Sequence, residues 1–126
     1  MSAVYYFGWA IAIVLIVVGI WALFSPRSLA REYGIPAEGH EAHGFVRAAG
    51  IRDIAFGVVL AATAYLHLLW LLVVFAIVGI AVSIADLWVV SHHGGVRRFH
   101  RAHAIHASGI VAFLLVIAMA LFAIGR

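Results

Sequence analysis

Traced by where charge is missing, the chain breaks into four long apolar stretches joined by short polar ones. The first runs from about Val4 to Phe24 without a charge. The second runs from about Phe45 to Leu66 and carries Arg47, Arg52 and Asp53. The third runs from about Leu68 to Val90 and carries Asp86. The fourth runs from about Arg98 to Ile124, with His100, Arg101, His103 and His106 in its first turns. Each reaches the roughly 20 residues that a helix needs to cross a hydrocarbon core of about 30 Å. Period-2 alternation is absent, so barrel strands are excluded, and lipid offers open strands no hydrogen-bond partners. The pattern predicts one domain over residues 1–126. Its expected fold is an all-α, integral membrane antiparallel four-helix bundle, with spans at about 4–24, 45–66, 68–90 and 98–124.

The connections sharpen this picture. In the first loop, Ser25-Pro26 reads as an N-cap and first helical position. Arg27 to Tyr33 then forms a short surface helix that Gly34 stops. Leu29 and Tyr33, four apart, are expected to rest on the headgroup boundary. The link near His67 is nearly absent, so spans two and three should form a tight hairpin. The third loop contains His92-His93-Gly94-Gly95. Short links of this kind favour antiparallel neighbours. The first span reads as a retained helix, because no basic residue precedes it and Ser25-Pro26-Arg27 follows it instead of a cleavage site.

Composition agrees: 67% of the residues are apolar and 10% charged, and mean hydropathy is +1.16. Soluble domains average about 45–50% and about 25%. A soluble globular protein and a disordered chain are thereby excluded. With no Cys, so are a disulfide scaffold and a zinc-thiolate site. All eight basic residues are Arg. Arg27, Arg31, Arg47, Arg52, Arg97, Arg98 and Arg101 fall beside loops one and three, and Arg126 alone falls at the other side. The positive-inside rule then puts both loops in the cytoplasm and both termini outside, in a membrane of the bacterial inner-membrane type. The pI near 10 reports attraction to anionic lipid. Nucleic acid is not an expected partner, since no basic–aromatic interleaving is present.

The candidate chemistry lies in one half of the spans. Charges there cost roughly 2.5–3.5 kcal/mol on insertion scales and are kept facing a bundle interior or a wet cavity. By helical rise, Arg52 and Asp53 lie about 10–12 Å in from the cytoplasmic start of span two. Asp86 lies about 6 Å from the end of span three, and His103 and His106 about 7 and 12 Å into span four. Sequence neighbours point about 100° apart on a helix, so Arg52 is expected to pair with Asp86, and Asp53 with His103 or Arg101. Small residues (Ala48, Ala49, Gly50 and Gly57) should admit a close neighbour to span two, as Gly79 should to span three. One reading is an ion-pair network that docks the helices. The other is a polar-floored pocket. Candidate ligand contacts are Arg47, Arg52, Asp53, Asp86, His103 and His106. Candidate acid–base groups are Asp53, Asp86 and His103.

His100, His103 and His106 recur at three-residue spacing, which a carboxylate could complete into a metal site. No HExxH motif is present, and the spacing turns His106 about 60° from His100, so no metal is assigned. Haem would need His ligands on facing helices near mid-membrane, and His67 lies at the opposite end. Ser83 and Ser108 lie in spans without an elbow or triad. No cofactor is specified.

Ser25-Pro26 with its short polar helix, then Arg47-Ala48-Ala49-Gly50-Ile51-Arg52-Asp53 opening a span, resembles a group of small bacterial and fungal four-helix membrane proteins of unknown function. That group looks distantly similar to the DoxX-like membrane proteins, some of which accompany quinone-linked oxidoreductases. The resemblance implies a four-helix bundle, lends weight to a quinone or other lipophilic ligand, and transfers no catalytic residue. The leading expectation is binding of a lipophilic small molecule, such as a quinone, sterol-like or isoprenoid compound, with its head in the inner half. Two rivals stay open. One is a membrane-embedded isomerase, cyclase or oxidoreductase using an Asp with a His. The other is an accessory subunit of a larger membrane complex. Expected partners are the lipid bilayer, the small molecule, and either further copies of this chain or that complex.

Overall fold

The computed structural model describes residues 2–34, 39–93 and 101–125. The expected Gly94-Gly95 turn, the positions of Arg97, Arg98 and His100, and the predicted start of the fourth span fall outside these residues. So do Glu38 and the chain's last residue. The fold is all-α, with α1 (Ala3–Phe24), α2 (Pro26–Glu32), α3 (His40–Tyr65), α4 (Leu69–His93) and α5 (Arg101–Ile124). Three of them, α1, α4 and α5, are long and apolar enough to cross a membrane. The fourth long helix, α3, is the least apolar of the four because Arg47, Arg52 and Asp53 interrupt it.

The chain is folded small side inward. Ala12, Ala64, Ala102 and Ala120 have no exposed surface, whereas Val17, Phe24, Val74, Ile77, Leu121 and Phe122 are exposed. In lipid, burying a large apolar side chain against protein gains little over leaving it in the acyl chains. Helices therefore associate through small residues that bring their backbones close. The α1–α3 contact shows this: a β-carbon on Gly50 would lie 2.5 Å from the Ala22 β-carbon and 2.8 Å from the Gly19 carbonyl oxygen. One on Gly57 would lie 2.9 Å from the Ala12 carbonyl oxygen. Gly8 meets Ala64, so ascending positions on α1 face descending ones on α3. The pairing on α4 and α5 runs in the same sense, with Gly79 under Phe113 and Ser83 against Gly109. Gly79 thus receives an aromatic ring rather than a neighbouring backbone.

α1 packs along α3 and α4 along α5, while the two pairs meet each other less closely. Val4, Ala12, Leu60, Ala64, Leu72, Ala76, Val116 and Ala120 fill a solid core toward the His67 end. There the link between α3 and α4 spans only residues 66–68. His67 takes the left-handed conformation at φ 57°, and the Tyr5 hydroxyl donates to its carbonyl at 3.0 Å.

At the other end, Ser25 joins two helices through its backbone. Its N–H donates to the Trp21 carbonyl at 2.8 Å, and its carbonyl accepts from Leu29 N–H at 3.1 Å. The expected side-chain cap is not made; Pro26 at the first turn starts α2 without one. Gly34, at φ 65°, follows the helix as expected. The expected headgroup position of Leu29 and Tyr33 is not observed. Leu29 is 4% exposed and Tyr33 faces inward, because α2 folds back under the bundle.

Candidate functional site

Between the two helix pairs lies a cavity of about 700 Å³. This is within the usual range of ligand sites, roughly 300–1,000 Å³. Its walls are mostly apolar, from Phe7, Ile11 and Phe75 at the core end to Val46 and Ile105 near the other. The polar groups gather at the α2 end: Arg52 and Asp53 from α3, Asp86 from α4, His106 from α5 and Tyr33 from the end of α2. Helix position explains the grouping. Arg52 and Asp53 are at the midpoint of α3, Asp86 in the last turns of α4, and His106 in the second turn of α5.

Arg52 is the hub. Its Nε and Nη2 both donate to Asp53 Oδ1, at 3.1 and 3.0 Å, and Nη2 lies 3.5 Å from Asp86 Oδ2. The expected Arg52–Asp86 pair is therefore present at ion-pair distance. Asp53 takes Arg52 of its own helix. Although the two Cα–Cβ bonds diverge, the long arginine stem swings back across the helix to its neighbour. Arg101 instead pairs with Glu32 at 3.1 Å, tying α5 to α2.

Arg47 and His103 are not among the cavity-lining residues. Arg47 Nε donates to the Leu23 carbonyl at 3.2 Å, holding the end of α1. His103 is half-buried on α5, and His106, one turn on, reaches the cavity. Ser83 lines the wall beside Asp86, and Ser108 donates to the Ile105 carbonyl of its own helix at 2.7 Å. Among the described residues, no group of three or more His, Asp or Glu could hold a metal ion.

Tyr33 was legible in the sequence only as a surface residue. Its ring packs on the His106 ring at 5.1 Å between centroids. The Leu29–Tyr33 spacing that suits a headgroup boundary serves equally to press α2 onto a bundle. Burial, followed by the negative charges of Asp53 and Asp86, pushes the Tyr33 phenol up to about 12, with Arg52 opposing. A phenol raised above its unfolded value of 10.0 stabilises the fold below that value. The contribution is lost as pH rises through the folded value. Wild-type stability is expected to fall between about pH 10 and about pH 12 more steeply than that of Tyr33→Phe, measured by thermal unfolding across that range. Parallel pH profiles would show that Tyr33 is not buried beside the carboxylates.

The family model described as a domain of unknown function (DUF4267) matches residues 12–121. No curated protein matches the chain, and no solved structure does.

Proposed function

The chain belongs to that family of unknown function, and from this premise we propose that it binds a lipophilic small molecule with a polar head. In this proposal α3 also spans, which completes an antiparallel four-helix bundle in an inner membrane of the bacterial type. The Arg-rich loops are cytoplasmic and both termini outside. The head meets Arg52, Asp53, Asp86, His106 and Tyr33, and the tail lies along the apolar walls toward Phe7 and Phe75. One observation carries the proposal: a single cavity gathers its charged groups in the half nearer α2 and is otherwise walled almost wholly by apolar side chains. A network serving only to dock helices has no need of that adjoining space. The DoxX likeness lends a quinone some weight as the class of ligand and no more.

The test is gentle purification followed by mass spectrometry and an absorption spectrum of what accompanies the protein. The expected result is a lipophilic compound enriched over its share of the bulk lipid, retained by the wild type and lost from Arg52→Ala and Asp53→Ala, with helix content and dispersity unchanged. Recovery of lipid in bulk proportions alone, or retention by both variants, would overturn the proposal. Turnover of the recovered compound that disappears in Asp53→Asn would convert the binder into an acid–base enzyme.

A further inference from the structure

The cavity's charge balance narrows the head it accepts. We propose, on the ligand-binding reading above, that the preferred guest is an amphiphile with a primary ammonium head, a cation that also donates hydrogen bonds. Of the charged side chains on the cavity wall, one is a guanidinium and two are carboxylates: Arg52 against Asp53 and Asp86. Counting histidine as neutral, the polar end carries one uncompensated negative charge. Arg52 spends both close contacts on a single oxygen of Asp53. Its 3.5 Å approach to Asp86 is longer than the roughly 2.7–3.2 Å of a good N–H···O bond. Asp86 is thus attracted to Arg52 but weakly hydrogen-bonded by it.

A second observation points the same way. His106 Nε2 is buried and has no hydrogen-bond partner among the described residues. A buried ring nitrogen without a partner is costly, and as an acceptor it is satisfied by an N–H from a guest. The Tyr33 ring, tilted 44° against the His106 ring, adds an aromatic face of the kind that attracts cations. An ammonium would cancel the surplus charge, donate to Asp86 and reach His106. A neutral hydroxyl could make some of the same bonds without the neutralisation. A carboxylate head would double the surplus, and a phosphate monoester, with a charge of about −1.5 to −2, would more than double it.

Three probes with one chain length separate these cases: dodecylamine, dodecanol and dodecyl phosphate, added to the protein in phosphatidylcholine nanodiscs. Binding is read from the shift in thermal midpoint and from competition with labelled dodecylamine, after subtraction of empty discs. Dodecylamine is expected to bind on the order of tenfold more tightly than dodecanol and dodecyl phosphate most weakly. The amine advantage should vanish in Asp86→Asn while dodecanol binding persists. Equal or tighter binding of the alcohol or phosphate, or an amine advantage that survives Asp86→Asn, would overturn the choice of head and leave the cavity reading standing. No shift with any probe, together with no co-purifying compound, would remove the cavity reading itself. Discs containing phosphatidylethanolamine identify the source of the head: competition with dodecylamine assigns it to an aminophospholipid, and its absence to a free lipophilic amine.

Discussion

Arg52→Leu is expected to destabilise the bundle by about 1–3 kcal/mol, more than either Asp53→Asn or Asp86→Asn. The cause is an asymmetry of charge. Arg52 faces two carboxylates, at 3.0 Å and 3.5 Å, so removing it leaves two like charges with no partner. Removing either carboxylate leaves a matched pair. Stripping one partner from a fully buried pair costs about 3–5 kcal/mol. Here the Arg52 side chain is 41% exposed and that of Asp86 33%, so water screens part of the loss. The single Asp→Asn changes should cost about 1 kcal/mol or less, as for partly exposed pairs. The same logic predicts a rescue: Asp86→Asn, mildly harmful alone, should restore stability in the Arg52→Leu background. Denaturant or thermal unfolding of all four proteins in one mild detergent closes the cycle. An Arg52→Leu cost no larger than that of Asp86→Asn, or a double variant no better than Arg52→Leu, would show that the trio does not share charge as described.

Most of this site could be read before coordinates because lipid makes ionisable groups conspicuous. In a stretch as apolar as residues 69–92, Asp86 has few places to go but inward. Helical rise then sets its depth to within a turn of Arg52 and His106. Partner choice was less legible. Periodicity fixes where a Cα–Cβ bond points, and the arginine stem is long enough to override it. That is how Arg52 reaches Asp53, and how Arg101 is taken by Glu32 on a helix outside the apolar stretches. The choice of His106 over His103 on the cavity wall depends on the rotation of α5, which its evenly apolar sequence barely encodes. Tyr33 was hidden by a real ambiguity, since an amphipathic turn can lie on lipid or on protein. The cavity itself has no sequence signal. It arises because α1 pairs tightly with α3 and α4 with α5, leaving space between the pairs.

That tight pairing yields the second large effect. Gly50→Leu is expected to cost about 1–3 kcal/mol or more, and Gly57→Leu a similar amount, because each new side chain meets helix backbone as well as a side chain, Ala22 Cβ or Ile16 Cγ1. A β-carbon at Gly50 would lie 2.8 Å from the Gly19 carbonyl oxygen, and one at Gly57 lies 2.9 Å from that of Ala12. A helix backbone cannot yield locally, so α1 and α3 must separate along their length. Gly79→Ala on α4 meets first the edge of the Phe113 ring, which can rotate aside, and should cost less than Gly50→Ala. A β-carbon at Gly44, also on α3, would meet nothing within 4 Å among the described residues beyond its own turn of helix. Gly44→Ala should be neutral or stabilising by up to about 1 kcal/mol through helix propensity alone. The separation forced at Gly50 also moves the wall that carries Arg52 and Asp53, so Gly50→Leu protein should lose any co-purified ligand even where it stays helical. Unfolding midpoints for the five glycine variants in one detergent decide the matter. If Gly50→Leu and Gly44→Ala behave alike, α1 and α3 do not meet backbone to backbone in the membrane.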